Sequence, residues 1–381
     1  MKKLLVVLGI LSISALGYAA VKDDYANAEK LFNENKVREG VTLLQKVSTS
    51  GDKDYAKKAD LQLGMLYLQA GDVANAKKYA NQASKNVNLT KEEKLATAEV
   101  LHEIAIVENN VVEQEKQLKY LETETKGQNP LYASSYVAMY LNTNREAKAI
   151  EKYKSIMSEQ HDNQFKSVVN YNVGRVYVVL NKLDEAKKYL TESYSQSVDG
   201  MLNSGMILVQ IAMQQNNKVE AERILLDMNA KTGDKELELF DVIGKFYYNY
   251  KDYDKAITYF KKIIDKEPNA VEQKLILLAI YENKKDTANI TKTYTDLKSL
   301  IKENVNRNLG VLLFNINETA SAEKYLKKAI SEDKNDEAKV LLGQVYASTG
   351  RKAEAIAILK EAVASKVQGA STVLSEVEKM K

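Results

Sequence analysis

Two histidines, His102 and His161, are all the chain offers for imidazole or metal chemistry, and no cysteine accompanies them. Metal sites draw clustered ligands from several side chains, and these two stand far apart in sequence. Carboxylates are more abundant. Glu92-Glu93-Lys94 and Glu113-Gln114-Glu115-Lys116 hold the pairs that acid–base chemistry uses, but lysines interrupt both, as on a solvated helix surface. No Gly-x-Ser-x-Gly elbow, Gly-rich phosphate loop or His-Glu-x-x-His pair occurs. Hydrolase, transferase and redox readings all lack their required residues. The expectation is a protein that is not an enzyme, with no catalytic residue, metal or cofactor; an unrecognised activity is the remote alternative.

With chemistry so scarce, the elements of the chain must be asked what surface they build. Two prolines and 16 glycines among 381 residues leave little for long loops, and Ala, Leu, Glu and Lys favour helix. Without cysteine there are no disulfides, so stability must come from packing. Charge is close to even, 55 Lys and Arg against 52 Asp and Glu, with no polybasic stretch. Nucleic acid and anionic lipid are therefore not expected partners. At the N-terminus, Lys2 and Lys3 precede an uncharged apolar run from Leu4 to Leu16, and Gly17-Tyr18-Ala19 has the small-x-small form of a signal-peptidase site. The run is shorter than the roughly 20 residues that span a bilayer. This predicts a cleaved export signal over residues 1–19 and a periplasmic or envelope-associated protein with no integral membrane segment.

The organising pattern lies in the turns. "GDVANA" (Gly71 to Ala76), "NKLDEA" (Asn181 to Ala186), "KDYDKA" (Lys251 to Ala256) and "GRKAEA" (Gly350 to Ala355) are variants of one stretch. Its first slot recurs at Asn35, Gly71, Asn109, Asn144, Asn181, Asn216, Lys251, Lys285, Asn317 and Gly350, spaced 32 to 38 residues apart. Gly and Asn tolerate the left-handed conformation that ends helices, so Lys251 and Lys285 should sit in slightly strained turns. Seven residues before the turn stands Gly64, Gly174, Gly244, Gly310 or Gly343, and five after it an alanine such as Ala76, Ala186, Ala256 or Ala322. Glycine facing alanine would let two helices approach closely. A period near 34 is the signal of a helical-hairpin solenoid.

The set Ile243, Gly244, Tyr247, Ala256, Phe260, Ile263 and Pro268 carries the pattern best, and it resembles the tetratricopeptide repeat. The resemblance runs over residues 20–369, in ten units starting near 21, 57, 95, 130, 167, 202, 237, 271, 303 and 336. The family's early Trp is missing throughout, and the units near 21, 95 and 271 match poorly, so divergent hairpins remain open there. It implies an all-α, right-handed α-solenoid, closed here by a cap helix over residues 370–381. "TKGQNP" (Thr125 to Pro130) and "SVDGMLNSG" (Ser197 to Gly205) read as irregular joints.

In that family the first helix of each hairpin lines a concave groove. Carried onto this chain, the groove positions include Tyr171, Arg175, Met206, Gln210, Met213, Asp241, Lys245 and Tyr248. Flexible Met, amphipathic Tyr and a few polar groups suit a polypeptide partner. Arg175, Gln210 and Lys245 share the ninth position of three successive units, as a polar ladder. The pairs Leu61/Met65, Tyr171/Arg175, Met206/Gln210 and Asp241/Lys245 are not the family's Lys/Asn carboxylate clamp, which excludes that mode. The expected function is an exported scaffold or adaptor that binds protein or peptide partners. The alternative is a subunit of an outer-membrane secretion, assembly or polysaccharide-export machine.

Overall fold

In the computed structural model, residues 19–86 and 89–380 are described, and all secondary structure among them is helical. Of the expected export signal, only Ala19 falls within them. The chain divides into two compact units, at Ala221 and Glu222. The N-terminal unit contains five hairpins: α1 (Ala19–Asn33) with α2 (Val37–Ser48), α3 (Lys53–Gln69) with α4 (Val73–Ser84), α5 (Lys91–Val107) with α6 (Val111–Glu124), α7 (Pro130–Asn142) with α8 (Glu146–Ser158), and α9 (Asn163–Val179) with α10 (Leu183–Gln196). It then continues with α11 (Val198–Gln214), and the division falls inside α12 (Lys218–Lys231). Four hairpins follow in the C-terminal unit: α13 (Leu237–Asn249) with α14 (Tyr253–Lys266), α15 (Val271–Asn283) with α16 (Thr287–Ile301), α17 (Val305–Asn315) with α18 (Thr319–Ser331), and α19 (Glu337–Ser348) with α20 (Lys352–Ala364). The last helix, α21 (Ala370–Lys379), buries Ala370 and Val377, and Lys352 Nζ donates to the Glu378 carbonyl 3.0 Å away, so it closes the end as a cap.

All ten turn slots have positive φ, from 53° at Asn109 to 78° at Gly71. Each slot residue donates its N–H to the carbonyl three back, and the next residue donates to the carbonyl five back. At the second turn these bonds are Gly71 N to Leu68 O at 3.0 Å and Asp72 N to Tyr67 O at 2.9 Å. That pair of bonds satisfies carbonyls a helix end would otherwise leave bare. The residue after the slot often caps the second helix with its side chain: Asp72, Asn110, Asn217 and Asp286 accept from the N–H three residues on. Lys251 (φ 60°) and Lys285 (φ 57°) hold the left-handed conformation with a full side chain. Lys285→Gly should raise stability by about 0.5–1 kcal/mol, since a Cβ is penalised there by 1–2 kcal/mol and glycine returns part of that as lost entropy. A urea titration showing Lys285→Gly weaker than the parent would contradict that account.

Packing departs from expectation at the glycines. At four of the five the nearest group is the bulky residue four beyond the alanine, although the alanine's own carbonyl also lies close at Gly64 (Ala76, 3.6 Å) and Gly310 (Ala322, 3.4 Å). A Cβ on Gly174, Gly244, Gly310 or Gly343 would come within 2.7 Å of Leu190, Phe260, Leu326 or Leu359 respectively. At Gly64 the residue four beyond is itself small, Ala80, with its Cβ 3.5 Å away. The large side chain lies across the bare backbone of the first helix, and the alanine leaves room for it. In the first hairpin the roles are exchanged, with Gly40 on the second helix lying under the Phe32 ring of the first.

Helix starts are also shifted. α3, α5, α9 and α11 begin four residues before the starts expected at 57, 95, 167 and 202. Each has a side-chain cap that the repeat pattern does not contain: Asp52, Thr90, Asp162 and Ser197. The joint expected to be irregular at Ser197–Gly205 is a single extended residue, Ser197, which ends α10 and starts α11. α15 fits the repeat pattern poorly because it is buried on every side from Lys274 to Tyr281, with Leu278 in the glycine slot.

Between successive hairpins a tyrosine, a glutamate and a cation recur together. Tyr140 donates to Glu115 (3.0 Å) and Tyr247 to Glu222 (2.8 Å), with weaker versions from Tyr177 to Glu146 and Tyr346 to Glu323. Arg145, Lys255, Lys182 and Arg351 pair with the same four carboxylates. Arg145, Lys255 and Arg351 also lie over the tyrosine rings, at 4.7, 4.7 and 4.1 Å from the centroids. A shared carboxylate and a stacked cation set the register between neighbours more sharply than apolar burial alone.

Candidate partner-binding face

In the N-terminal unit the first helices α5, α7, α9 and α11 keep one stripe out of the core. On α9 the stripe holds Tyr171, half-buried, and Arg175, exposed, with the guanidinium 5.5 Å from the tyrosine ring centroid. On α11 it holds Met206, Gln210 and Met213, which at spacings of four and three share one helix face. The methionines are 39% and 37% exposed, and Gln210 is exposed as well. Buried residues of the same helices, such as Val173 and Gly174 on α9 or Leu208 and Ala212 on α11, point into the hairpins instead. Asn172 fixes α9 against α7 through a 3.0 Å hydrogen bond to Ser134 Oγ.

The same side carries residues that were not singled out in the sequence. Glu99, Glu103 and Ile106 stand on α5 and Leu131 on α7, all exposed, and Tyr132 donates a hydrogen bond to Glu99. Loss of solvent and the neighbouring Glu99 charge push the Glu103 carboxyl above the usual range. The groove positions of the units starting near 95 and 130 include Glu99, Glu103, Ile106 and Leu131 but not Tyr132, which stands one residue off the register.

In the C-terminal unit the groove positions are engaged by their own neighbours. Lys245 Nζ lies 2.7 Å from both Asp241 and Glu272. Burial pulls its pKa down, but the hydrogen bonds to those two carboxylates more than reverse this, leaving it above the ordinary lysine value. Asp241 accepts a further bond from Gln273 at 2.8 Å. Tyr248 donates to Glu318, whose carboxyl burial pushes up. Arg175 and Gln210 thus share the N-terminal unit, whereas Lys245 belongs to the other unit and is already paired.

The histidines stand apart. His102 is buried in α5, and burial lowers its pKa. His161, in the link before α9, stacks on Phe165 with centroids 3.7 Å apart, and its Nε2 lies 3.5 Å from Glu159. Among the described residues, no three His, Asp or Glu side chains are grouped to hold a metal, and no helix is long and apolar enough to cross a membrane.

Comparison with the curated proteins returned no match. Among solved structures, PilW, a type IV pilus biogenesis factor, is 14% identical, covering 56% of this chain and 94% of its own, with a TM-score of 0.34. Pseudomonas aeruginosa pilF is 19% identical, covering 57% and 94%, with a TM-score of 0.33. A tetratricopeptide repeat protein from Parabacteroides merdae is 13% identical, covering 85% and 99%, with a TM-score of 0.34. Similarity at this level transfers no function. Sequence profiles of the tetratricopeptide repeat match residues 61–85, 168–197, 243–270 and 316–372, stretches that fall on the hairpins described above. With those four matches and ten turns of one geometry, the chain is a tetratricopeptide-repeat protein.

Proposed function

We propose that this protein is a non-catalytic, exported scaffold that holds a polypeptide partner against the first helices of its N-terminal unit. Tetratricopeptide repeats serve as protein-interaction scaffolds, and their fold is typically non-catalytic. The observation that carries the reading is the exposed stripe of Met206, Gln210 and Met213 on α11 beside Tyr171 and Arg175 on α9. Two adaptable apolar side chains exposed together on one helix face, with an amide between them and an aromatic and a cation on the next helix, fit a surface that is covered on binding. Export rests on Lys2, Lys3, the Leu4 to Leu16 run and Gly17-Tyr18-Ala19.

One purification tests both parts. The full chain, carrying a C-terminal affinity tag, is isolated from envelope fractions of its own cell beside a Met206→Ser, Met213→Ser variant. The parent should begin at Ala20 or Val21 and bring down a partner at fixed stoichiometry. The variant should melt within about 1 °C of the parent, since both positions are exposed, and recover less than a tenth as much partner. Recovery of the partner at parental yield would move the binding surface elsewhere, and material beginning at Met1 would refute export.

A further inference from the structure

We infer that the face formed by α9 and α11 receives a partner segment whose acidic side chain pairs with Arg175 and whose flanking apolar side chains cover Met206 and Met213; this rests on the groove reading above. The argument begins with a missing partner. Arg145, Arg307 and Arg351 each meet a carboxylate of this chain, at 3.7, 3.2 and 2.6 Å. Among the described residues neither Arg38 nor Arg175 meets a carboxylate, and of these two only Arg175 stands at a groove position, with the Tyr171 ring as its contact. A guanidinium resting on an aromatic face keeps its N–H edge free while its plane is held. That edge matches a carboxylate with two parallel hydrogen bonds, and little side-chain entropy remains to be lost.

The neighbouring helix supplies the rest of the partner's description. Met206 and Met213 stand on either side of Gln210 along one face of α11. The amide of Gln210 both donates and accepts, which suits the backbone of a segment lying across it. Met side chains adapt to apolar groups of varied shape. The polarity of the face is fixed by what stands on α5. Glu99 and Glu103 stand one helical turn apart on α5, and loss of solvent first, with the Glu99 charge second, raises the Glu103 carboxyl above the usual range. An acidic partner residue would be repelled there and drawn to α9, whereas a basic one would be favoured over α5. The partner segment is therefore acidic where it crosses α9, apolar where it crosses α11, and not acidic over α5.

The test is an immobilised array of random dodecapeptides probed with the full-length protein at about 0.1 M salt. Bound peptides should be enriched in Asp or Glu with apolar residues within a few positions. Arg175→Glu should weaken the best acidic peptides at least tenfold and shift the enrichment toward Lys and Arg. Arg175→Gln should show the loss without the shift, which guards against a folding defect peculiar to the charge reversal. Met206→Ser with Met213→Ser should reduce binding of every class. Peptides bound without acidic enrichment, or with an enrichment that Arg175→Glu leaves unchanged, would overturn the inference while leaving the scaffold reading in place, provided the methionine variant still loses them. An array that captures nothing would overturn both.

Discussion

Gly200→Ala is expected to destabilise the N-terminal unit by about 3 kcal/mol or more, although it adds a single methyl group to a helix. Gly200 lies in the first turn of α11, where its N–H donates to Ser197 Oγ at 2.9 Å. A Cβ there would overlap Ser167 Oγ and the Ser193 carbonyl oxygen and stand 2.9 Å from Ser197 Oγ. Those groups are not free to move. Ser167 Oγ is buried and bonded to the Ser193 carbonyl (3.2 Å), to Ser193 Oγ (3.1 Å) and to Ser197 Oγ (2.9 Å). The methyl must either push α11 off α9 and α10 or leave buried hydroxyls without partners. Overpacking costs about 1–3 kcal/mol, and an unpaired buried polar group about 1–3 kcal/mol more. Gly51→Ala is the control: nothing lies within 4 Å of its added Cβ, and the change should stay within about 0.5 kcal/mol. Urea titrations of the two variants giving the same midpoint would show that the single-residue joint at Ser197 is not packed as described.

The second large effect is expected at Gly244, and its signature is non-additivity. A Cβ on Gly244 would lie 2.7 Å from Cε1 and 2.9 Å from Cζ of Phe260, whose ring is fully buried. Gly244→Leu should therefore cost about 3 kcal/mol, the upper part of the range for overpacking. Phe260→Ala alone should cost about 3–5 kcal/mol through the cavity it leaves. Combined, the new leucine extends into the space of the missing ring, and the double variant should be more stable than the sum of the single losses by about 1–3 kcal/mol. Ala256→Leu gives the contrast. Ala256 is also fully buried, but the atoms nearest to a Cβ on Gly244 all belong to Phe260, so removing that ring should relieve Ala256→Leu less. Because each repeat is stabilised mainly by its neighbours, the losses should appear first in hydrogen exchange of α13 and α14. Strict additivity of Gly244→Leu and Phe260→Ala would mean that the glycine and the ring do not meet.

Much of this fold is legible in one sequence because its decisive signals are local. Asn35, Gly71 and the eight other turn residues specify left-handed helix ends through their own backbone preferences, and even the two lysines obey the period. Helix, turn and helix follow from spacing alone, so ten hairpins and a cap can be counted without any long-range information. The groove positions belong to the same class, since a residue's place on a helix face depends only on its register. For that reason Met206 and Met213 could be named as surface residues before any packing was known.

What faces what is a different matter. The sequence places Gly244, Ala256 and Phe260 at fixed intervals, but which of the last two covers the glycine depends on how the two helix axes are rotated about each other, a property of the pair. The same holds for electrostatics. Lys245 and Arg175 occupy equivalent positions, yet Lys245 is neutralised by Glu272 from the next hairpin, whereas Arg175 has only a tyrosine beneath it. Of the shared glutamates between repeats, Glu115, Glu222 and Glu323 stand six residues after their turn residues Asn109, Asn216 and Asn317, whereas Glu146 stands two after Asn144, so spacing marks most of them without showing what they bind. The contact itself, and whether a given cation joins it from one residue after the turn (Arg145, Lys182, Arg351) or from four (Lys255), is decided by how neighbouring hairpins pack. The turns were thus determined by the sequence itself, whereas the different surroundings of Arg175 and Lys245 were decided by which carboxylates the tertiary packing brought near each.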